Sequence, residues 1–510
     1  MPERCWPVLS PDFAAAARRH AGDVLAMLAL FVGVSLLAGR VFRFPFDDEI
    51  YTLTIGEQYP GLKMLVDLPR ADDVHPPLTN FIVYWFEQFG LAVSTMRLIS
   101  LAMTGLALAL FQLLTMWLLA RRNGAAAEWP TRLIAVLLFG LCPLAVSQGD
   151  AVRWYPQFAL LIALLVTLYL AAGNNAARLY SAAALGLAGS VNFLAGPVAL
   201  AFVIYRYVLQ RAFTLRFDAV FWLVTLVFGS LGAYTASVLL WLRRGALHTQ
   251  LGNGIVRSAL TDLLGFFGGD TLGVGLAWLV VPVIAVAALA IVAAVDRKRA
   301  GDPVHFLLLM LATAALTALP GFAKPRSFLY LAPVMALLLT LYLDRLLRQG
   351  HRVAALAMSV LLVAAAVTGS ANVGSSAHPF KRAAVIPYGE VLDFVRANRS
   401  GRTLVVSTDP VVVYELRPDQ RSGTLCASFF FDTSACFGDA AYDTVVLIRG
   451  HNSRSGDVYD RRFEAHVQRV IGDRHRRAAL EAGLDKDAAL KTRLTGVSLS
   501  EHILAVEVYR

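Results

Sequence analysis

Charge is scarce in this chain. Of its 510 residues, 16% are Asp, Glu, Lys or Arg, against about 25% in a typical soluble domain. So low a value, with so much apolar sequence, excludes an intrinsically disordered chain and argues against a soluble globular one. Cysteine is sparse too. Cys5, Cys142, Cys426 and Cys436 form no C-x-x-C pair and show no Cys/His spacing of a zinc site. No internal repeat is evident, which weighs against transporter folds built from inverted halves. No small-x-small cleavage site precedes Arg40, so the first apolar run, 24–39, is expected to be a retained anchor behind Arg18, Arg19 and His20.

What the chain has in quantity is apolar sequence, 57% of all residues. That composition points to a polytopic α-helical membrane protein. Its net charge of +10 would suggest nucleic acid in a soluble protein. Here it is accounted for by Arg-rich cytoplasmic loops, so membrane lipids and not nucleic acid are the expected surroundings. A span needs about 20 apolar residues. About eleven runs approach that length: 23–40, 96–120, 131–148, 154–172, 178–191, 193–210, 217–241, 271–295, 304–321, 326–346 and 352–371. The fifth and sixth are short and read as a hairpin or as one broken span. A further run, 76–91, is interrupted by Asn80, Glu87 and Gln88 and reads as interfacial or re-entrant.

Positive residues flank alternate runs. Arg18 and Arg19 place the N-terminus in the cytoplasm, and the basic stretches 120–123, 174–178, 211–217, 296–302 and 344–352 fall on that same side. The expected organisation is a cytoplasmic tail (1–22), a transmembrane domain (23–371) whose first external loop is 41–95, and an external domain (372–510). In that last part, 403–409, 443–450 and 503–510 read as strands, and 388–399 and 461–475 as amphipathic helices. The pattern is that of a soluble α/β domain. In an oxidising compartment Cys426 and Cys436 are expected to form a disulfide.

The external side then collects polar residues that lipid contact does not demand. "FDDEIYTL" (46–53) carries Asp47, Asp48 and Glu49. "RADDVHPPLTNFIVYW" (70–85) carries Asp72, Asp73 and His75. Acids at a helix start suit its positive end, but capping accounts for one acid, not five. Arg153 and Tyr155 lie in "QGDAVRWYPQ" (148–157), Arg243, Arg244 and Arg257 flank or enter the loop 242–270, and Lys324 and Arg326 lie in "GFAKPRSF" (321–328). Cations outside run against the usual bias, and an anionic ligand supplies a reason. In "DAVRWYPQ", Asp150/Trp154 and Arg153/Gln157 share helix faces if the helix runs through them. If Pro156 marks its start, Arg153 belongs to the loop. Attraction to anionic lipid is an alternative account of Arg243 and Arg244.

An Asp-Glu pair after the first span, then "HPPL", then an R-W-Y segment opening a span, resembles the GT-C membrane glycosyltransferases, in particular the protein O-mannosyltransferase and lipid A aminoarabinose transferase branch. The matching pieces, which include "KPRSFLYLAPVMALLLTLYL", cover roughly residues 20–370 and not the C-terminal domain. The resemblance implies a membrane enzyme, and the abundance of Ala, Leu and Arg over Lys suggests a GC-rich bacterial genome and hence the bacterial inner membrane. The same resemblance implies a GT-C fold and an inverting transfer of sugar from a polyprenyl phosphate donor to a lipid, glycan or protein acceptor at the outer face. By that resemblance Asp48 is the general base, with Asp47 as the alternative, and Glu49 orients the site. Asp73 and His75 organise the acceptor pocket or, in some relatives, hold a divalent metal, the one cofactor left open. Lys324 and Arg326 bind the donor phosphate, with Arg153, Tyr155 and Arg257 as further substrate contacts. The competing reading of the same charges is a secondary transporter of an anionic or lipid-linked substrate. Such proteins place their key charges at the bilayer midplane, whereas here they gather at one rim.

Overall fold

With few charges to interrupt them, the apolar runs fold as helices. A computed structural model of the chain describes residues 9–37, 47–70, 76–242, 302–318, 329–373, 388–407, 409–420, 423–429, 442–450, 467–468, 470–482 and 504–510. The chain divides into two units. The first comprises Met1–Val41 and Ile55–Gly374, the second Phe42–Thr54 and Ser375–Arg510. The stretch Phe42–Thr54, which the sequence places in the first external loop, thus groups with the C-terminal residues.

The first unit is helical. Its elements are α1 (Pro11–Arg19), α2 (Ala21–Leu37), the latter part of α3 (Asp47–Gln58), α4 (Lys63–Asp67), α5 (Leu78–Gln88), α6 (Val93–Asn123), α7 (Trp129–Gly140), α8 (Pro143–Gln148), α9 (Trp154–Leu170), α10 (Asn175–Val191), α11 (Ala195–Val203), α12 (Leu215–Phe228), α13 (Ser230–Leu242), α14 (Pro303–Ala318), α15 (Ala332–Arg348) and α16 (Arg352–Val373). Every expected span carries helix except 271–295, which lies outside the described residues. By length and hydropathy alone, three described stretches can cross a membrane: Val93–Asn123, Trp129–Gln148 and Leu329–Arg348. Counting the bent pairs α1–α2 and α12–α13 as one span each gives five. The expected count of about eleven is not reached on that criterion. The fifth and sixth expected spans are separate helices, α10 and α11. The break falls at Asn192, whose backbone is extended and whose side-chain oxygen accepts from Leu194 N at 2.9 Å. At 11 residues, α5 is too short to cross.

One end of this unit is tied by ion pairs and hydrogen bonds. Arg132 donates through Nε and Nη2 to both oxygens of Asp23, at 2.8 and 2.7 Å. Asp344 accepts from Thr131, Asn123 and Arg348 at 3.1, 2.9 and 2.9 Å. Arg122 pairs with Asp302. Buried Arg206 donates to buried Asp218 at 2.6 Å, and Asp218 also accepts from Tyr207 and from Thr214 N. Ser10 N donates to Ala171 O at the finish of α9, and the ring of Phe13 meets that of Trp117 near the finish of α6. The starts of α2, α7, α12 and α14 and the finishes of α6, α9 and α15 therefore share this end. At 1.5 Å per residue, α6 is about 46 Å long, half again the ~30 Å hydrocarbon core. Both its ends accordingly hold charge, Arg97 at one and Arg121 and Arg122 at the other. Gly124 stops the helix with φ 65, a left-handed conformation open to glycine.

The second unit is built on a mixed sheet of β1 (Thr403–Ser407), β2 (Leu425–Phe429), β3 (Thr444–Gly450), β4 (Arg476–Ala482) and β5 (Leu504–Tyr509), in the order β2-β1-β3-β5-β4. β1 is parallel to β2 and β3. β5 runs antiparallel to β3 and β4. Alternate residues point to opposite faces. Val405, Val446, Ile448, Val506 and Val508 enter one core, and Leu404, Val406, Val445 and Leu447 the other. All five residues of β1 are buried, as the central strand of a sheet covered on both faces requires. Val391, Leu392 and Val395 of α17 (Tyr388–Asn398) close the first core, together with Val411, Val412 and Leu416 from the turns of α18 (Pro410–Glu415). That core also holds Ile50, from the first half of α3.

Candidate functional site

In the first unit the end of α9 opposite the ion-paired one is polar and closely packed. The chain reaches it through α8, which finishes at Gln148. The turn that follows is held against α6 by Thr104, whose hydroxyl approaches the carbonyl of Gly149 at 3.0 Å and that of Ser100 at 3.1 Å. A glycine is required at 149. A Cβ there would collide with the carbonyl of Ala145 and lie 2.9 Å from the Thr104 methyl. With the turn pinned, Gln148, Asp150, Ala151 and Val152 are all buried.

Helix α9 starts at Trp154. Arg153 is its N-cap, with extended backbone (φ −144, ψ 175) and partial exposure. The loop alternative for Arg153 is the one found, so Asp150/Trp154 and Arg153/Gln157 are not paired by helical spacing. Gln157 instead accepts from the Thr79 hydroxyl of α5 at 2.8 Å. This bond joins the residues after "HPP" to the R-W-Y segment. Tyr155 is buried, its ring centroid 4.4 Å from that of Trp154. Trp154 meets Phe158 edge-on, and Phe158 meets Tyr330 edge-on at 5.0 Å. Tyr330 lies four residues after Arg326, so the chain leaving the "KPRSF" stretch comes to rest against the first turns of α9.

Two buried polar residues of this region escaped the sequence reading. Arg97, on the first turns of α6, is 1% exposed, and Gln148 is wholly buried. Arg97 had a legible signal, being the one charge in the first turns of a long apolar helix. Gln148 had none, because its burial depends on how the Gly149 turn packs. Arg97, Asp150 and Arg153 are each engaged by neighbours.

The acid cluster belongs to the second unit. As its position after Pro45 implies, the run begins a helix, and α3 starts at Asp47 with Asp48 and Glu49 in its first turn. Glu49 is fully buried and engaged by neighbours, and Ile50, Thr52 and Leu53 are buried with it. Asp73, His75, Arg243, Arg244, Arg257, Lys324 and Arg326 lie outside the described residues. Among the described residues no three His, Cys, Asp or Glu side chains converge as metal ligands, and the two residues named for a metal, Asp73 and His75, are not among them. Cys426 lies in β2 and is disulfide-bonded; Cys436 lies outside the described residues.

No family model matches the sequence, and no curated protein matches it. Among solved structures, the chain is similar to the crystal structure of ArnT from Cupriavidus metallidurans in the apo state, with 14% identity over 96% of this chain and 98% of that one and a TM-score of 0.47. It is similar also to the crystal structure of ArnT from the same organism bound to undecaprenyl phosphate, with 14% identity over 95% of this chain and 98% of that one and a TM-score of 0.45.

Proposed function

We propose that this chain is a GT-C membrane glycosyltransferase. It moves a sugar from a polyprenyl phosphate to an acceptor of the bacterial envelope (lipid A, lipopolysaccharide core, cell-wall glycan or protein) at the outer face of the inner membrane. The observation that carries the reading is Arg153 at the N-terminus of α9. The N-terminal end of a 17-residue helix carries a partial positive charge, and the guanidinium adds a full charge beside it. That combination suits a phosphate ester at the membrane surface. The ordered motifs "FDDEIYTL", "HPPL" and "RWYPQ" support the same family.

In the proposed reaction the acceptor hydroxyl attacks the anomeric carbon from the face opposite the phosphate. Its proton passes to Asp48, or to Asp47 in the other register, as the new C–O bond forms. The bond from the anomeric carbon to the phosphate oxygen breaks, and the lipid phosphate departs with the electron pair. The carboxylate supplies general base catalysis. The leaving phosphate needs positive charge rather than a proton, and Arg153, Arg257, Lys324 and Arg326 are the groups assigned to supply it. Glu49 orients the base, Asp73 and His75 shape the acceptor side, and Tyr155 is a further substrate contact. In-line displacement inverts the anomeric configuration.

Mass spectrometry of lipids and envelope glycans from cells with and without the gene tests the reaction. Loss of one glycosylated species on deletion is expected, restored by the wild-type chain and not by Asp48→Asn. No difference between the two cell types, with uptake or antiport in proteoliposomes, would replace the reading with the transporter one.

A further inference from the structure

The helix that carries the acids has little reason to form by itself. It has 12 residues, at the lower limit for a helix in water even in favourable sequence. Its interior, "EIYTLTIG", is rich in β-branched residues and contains a glycine, all poor helix formers. Packing must therefore hold it. In the second unit that packing centres on Ile50, which is 4% exposed and shares a core with Tyr388, Val391, Leu392 and Val395 of α17 and with Leu416. Ile50 is two residues beyond Asp48, about 3 Å along the helix axis. A β-branched side chain is also stiff at χ1, so its seat in the core constrains the backbone that bears it.

We propose that Ile50 is a positioning residue for the acid cluster, and that through it the core of the C-terminal residues sets where the carboxylates of α3 stand. The inference rests on the reading of Asp48 as base. It assigns the C-terminal residues a part in the chemical step although they carry no catalytic motif. Turnover should depend on the fit at Ile50, while binding of the lipid phosphate, assigned to groups of the transmembrane part, should not.

The test uses the full-length protein as wild type, Ile50→Val, Ile50→Ala and Asp48→Asn. Three readings are made: the glycosylated species restored in deletion cells, the affinity of the purified protein for undecaprenyl phosphate, and amide hydrogen exchange along α3, β1 and β3. Ile50→Ala should lower product on the order of 10²-fold, the cost of a misplacement of about 1 Å, and speed exchange in α3 by about ten-fold or more. Undecaprenyl phosphate affinity and protection of β1 and β3 should stay as in wild type, and Ile50→Val should give a smaller loss of product, falling between Ile50→Ala and wild type. Unchanged product in Ile50→Ala, or equal loss of product and of lipid phosphate binding, overturns the proposal. If Ile50→Ala also exposes β1 and β3, Ile50→Val decides: less product with faster exchange confined to α3 supports the role, and wild-type product overturns it. Full product from Asp48→Asn removes the base assignment itself, a failure visible whatever Ile50 does.

Discussion

A single residue, Arg153, shows how local chemistry and position combine. An arginine near Trp154 and Tyr155 has an ordinary explanation as an interfacial anchor. Its place just outside α9 puts it beside the positive end of the helix dipole. Arg153→Ala is therefore expected to weaken undecaprenyl phosphate binding by about 10- to 100-fold, the range for a charge-assisted hydrogen bond of about 1.5–3 kcal/mol. Arg153→Lys should restore part of it, since an ammonium keeps the charge and loses the fork. Titration of purified protein with the lipid phosphate checks both, and equal affinity in all three proteins would place the phosphate elsewhere. Under the proposed mechanism, in which Asp48 acts on the acceptor, Asp48→Asn should leave that affinity intact while abolishing product.

At the scale of elements, the helix starts and finishes are fastened together by ion pairs and hydrogen bonds at one end of the first unit. Asp344 joins α6, α7 and α15 through Asn123, Thr131 and Arg348. Asp344→Ala leaves the buried Thr131 hydroxyl and the Asn123 amide without their acceptor, and is expected to destabilise the fold by about 1–3 kcal/mol, seen as a lower midpoint in thermal unfolding in detergent. The helices themselves were legible, because long apolar runs between basic loops leave few alternatives. So were β1, β3 and β5, whose β-branched runs are plain in "TLVVS", "TVVLIRG" and "LAVEVY". β2 and β4 were not. "LCASF" is short, and "RRAALEA" favours helix by propensity and becomes a strand only by pairing with β5. The break at Asn192 was visible as a turn, but whether it folded a hairpin or split a span depended on contacts far away in sequence. The acid run suited a helix start in the sequence and does begin α3, yet its tie to the C-terminal core was hidden. Nothing near Ile50 announces partners more than 300 residues later.

For the whole molecule the expected orientation has a direct check. Alkaline phosphatase fused after Arg510 should be active and a cytoplasmic fluorescent reporter at the same place dark, with the opposite pattern for fusions within 296–302. A dark phosphatase fusion at the C-terminus would reverse the sidedness on which the donor and acceptor assignments depend. Alkylation gives a second check. In protein kept oxidised, neither Cys426 nor Cys436 should react until a reductant is added, whereas labelling of Cys436 before reduction would give Cys426 a different bonding partner.

The second unit is assembled from two stretches far apart in the chain, Phe42–Thr54 and Ser375–Arg510. During synthesis the first stretch is delivered early and waits. At about 5–20 residues per second, its partner strands emerge some tens of seconds later. Until those strands are made, Ile50 has no core to enter, so under the proposed function a nascent or truncated chain would be chemically silent. On the proposed function, a chain assembled in this order would not draw on the pool of lipid-linked sugar before its biogenesis is complete.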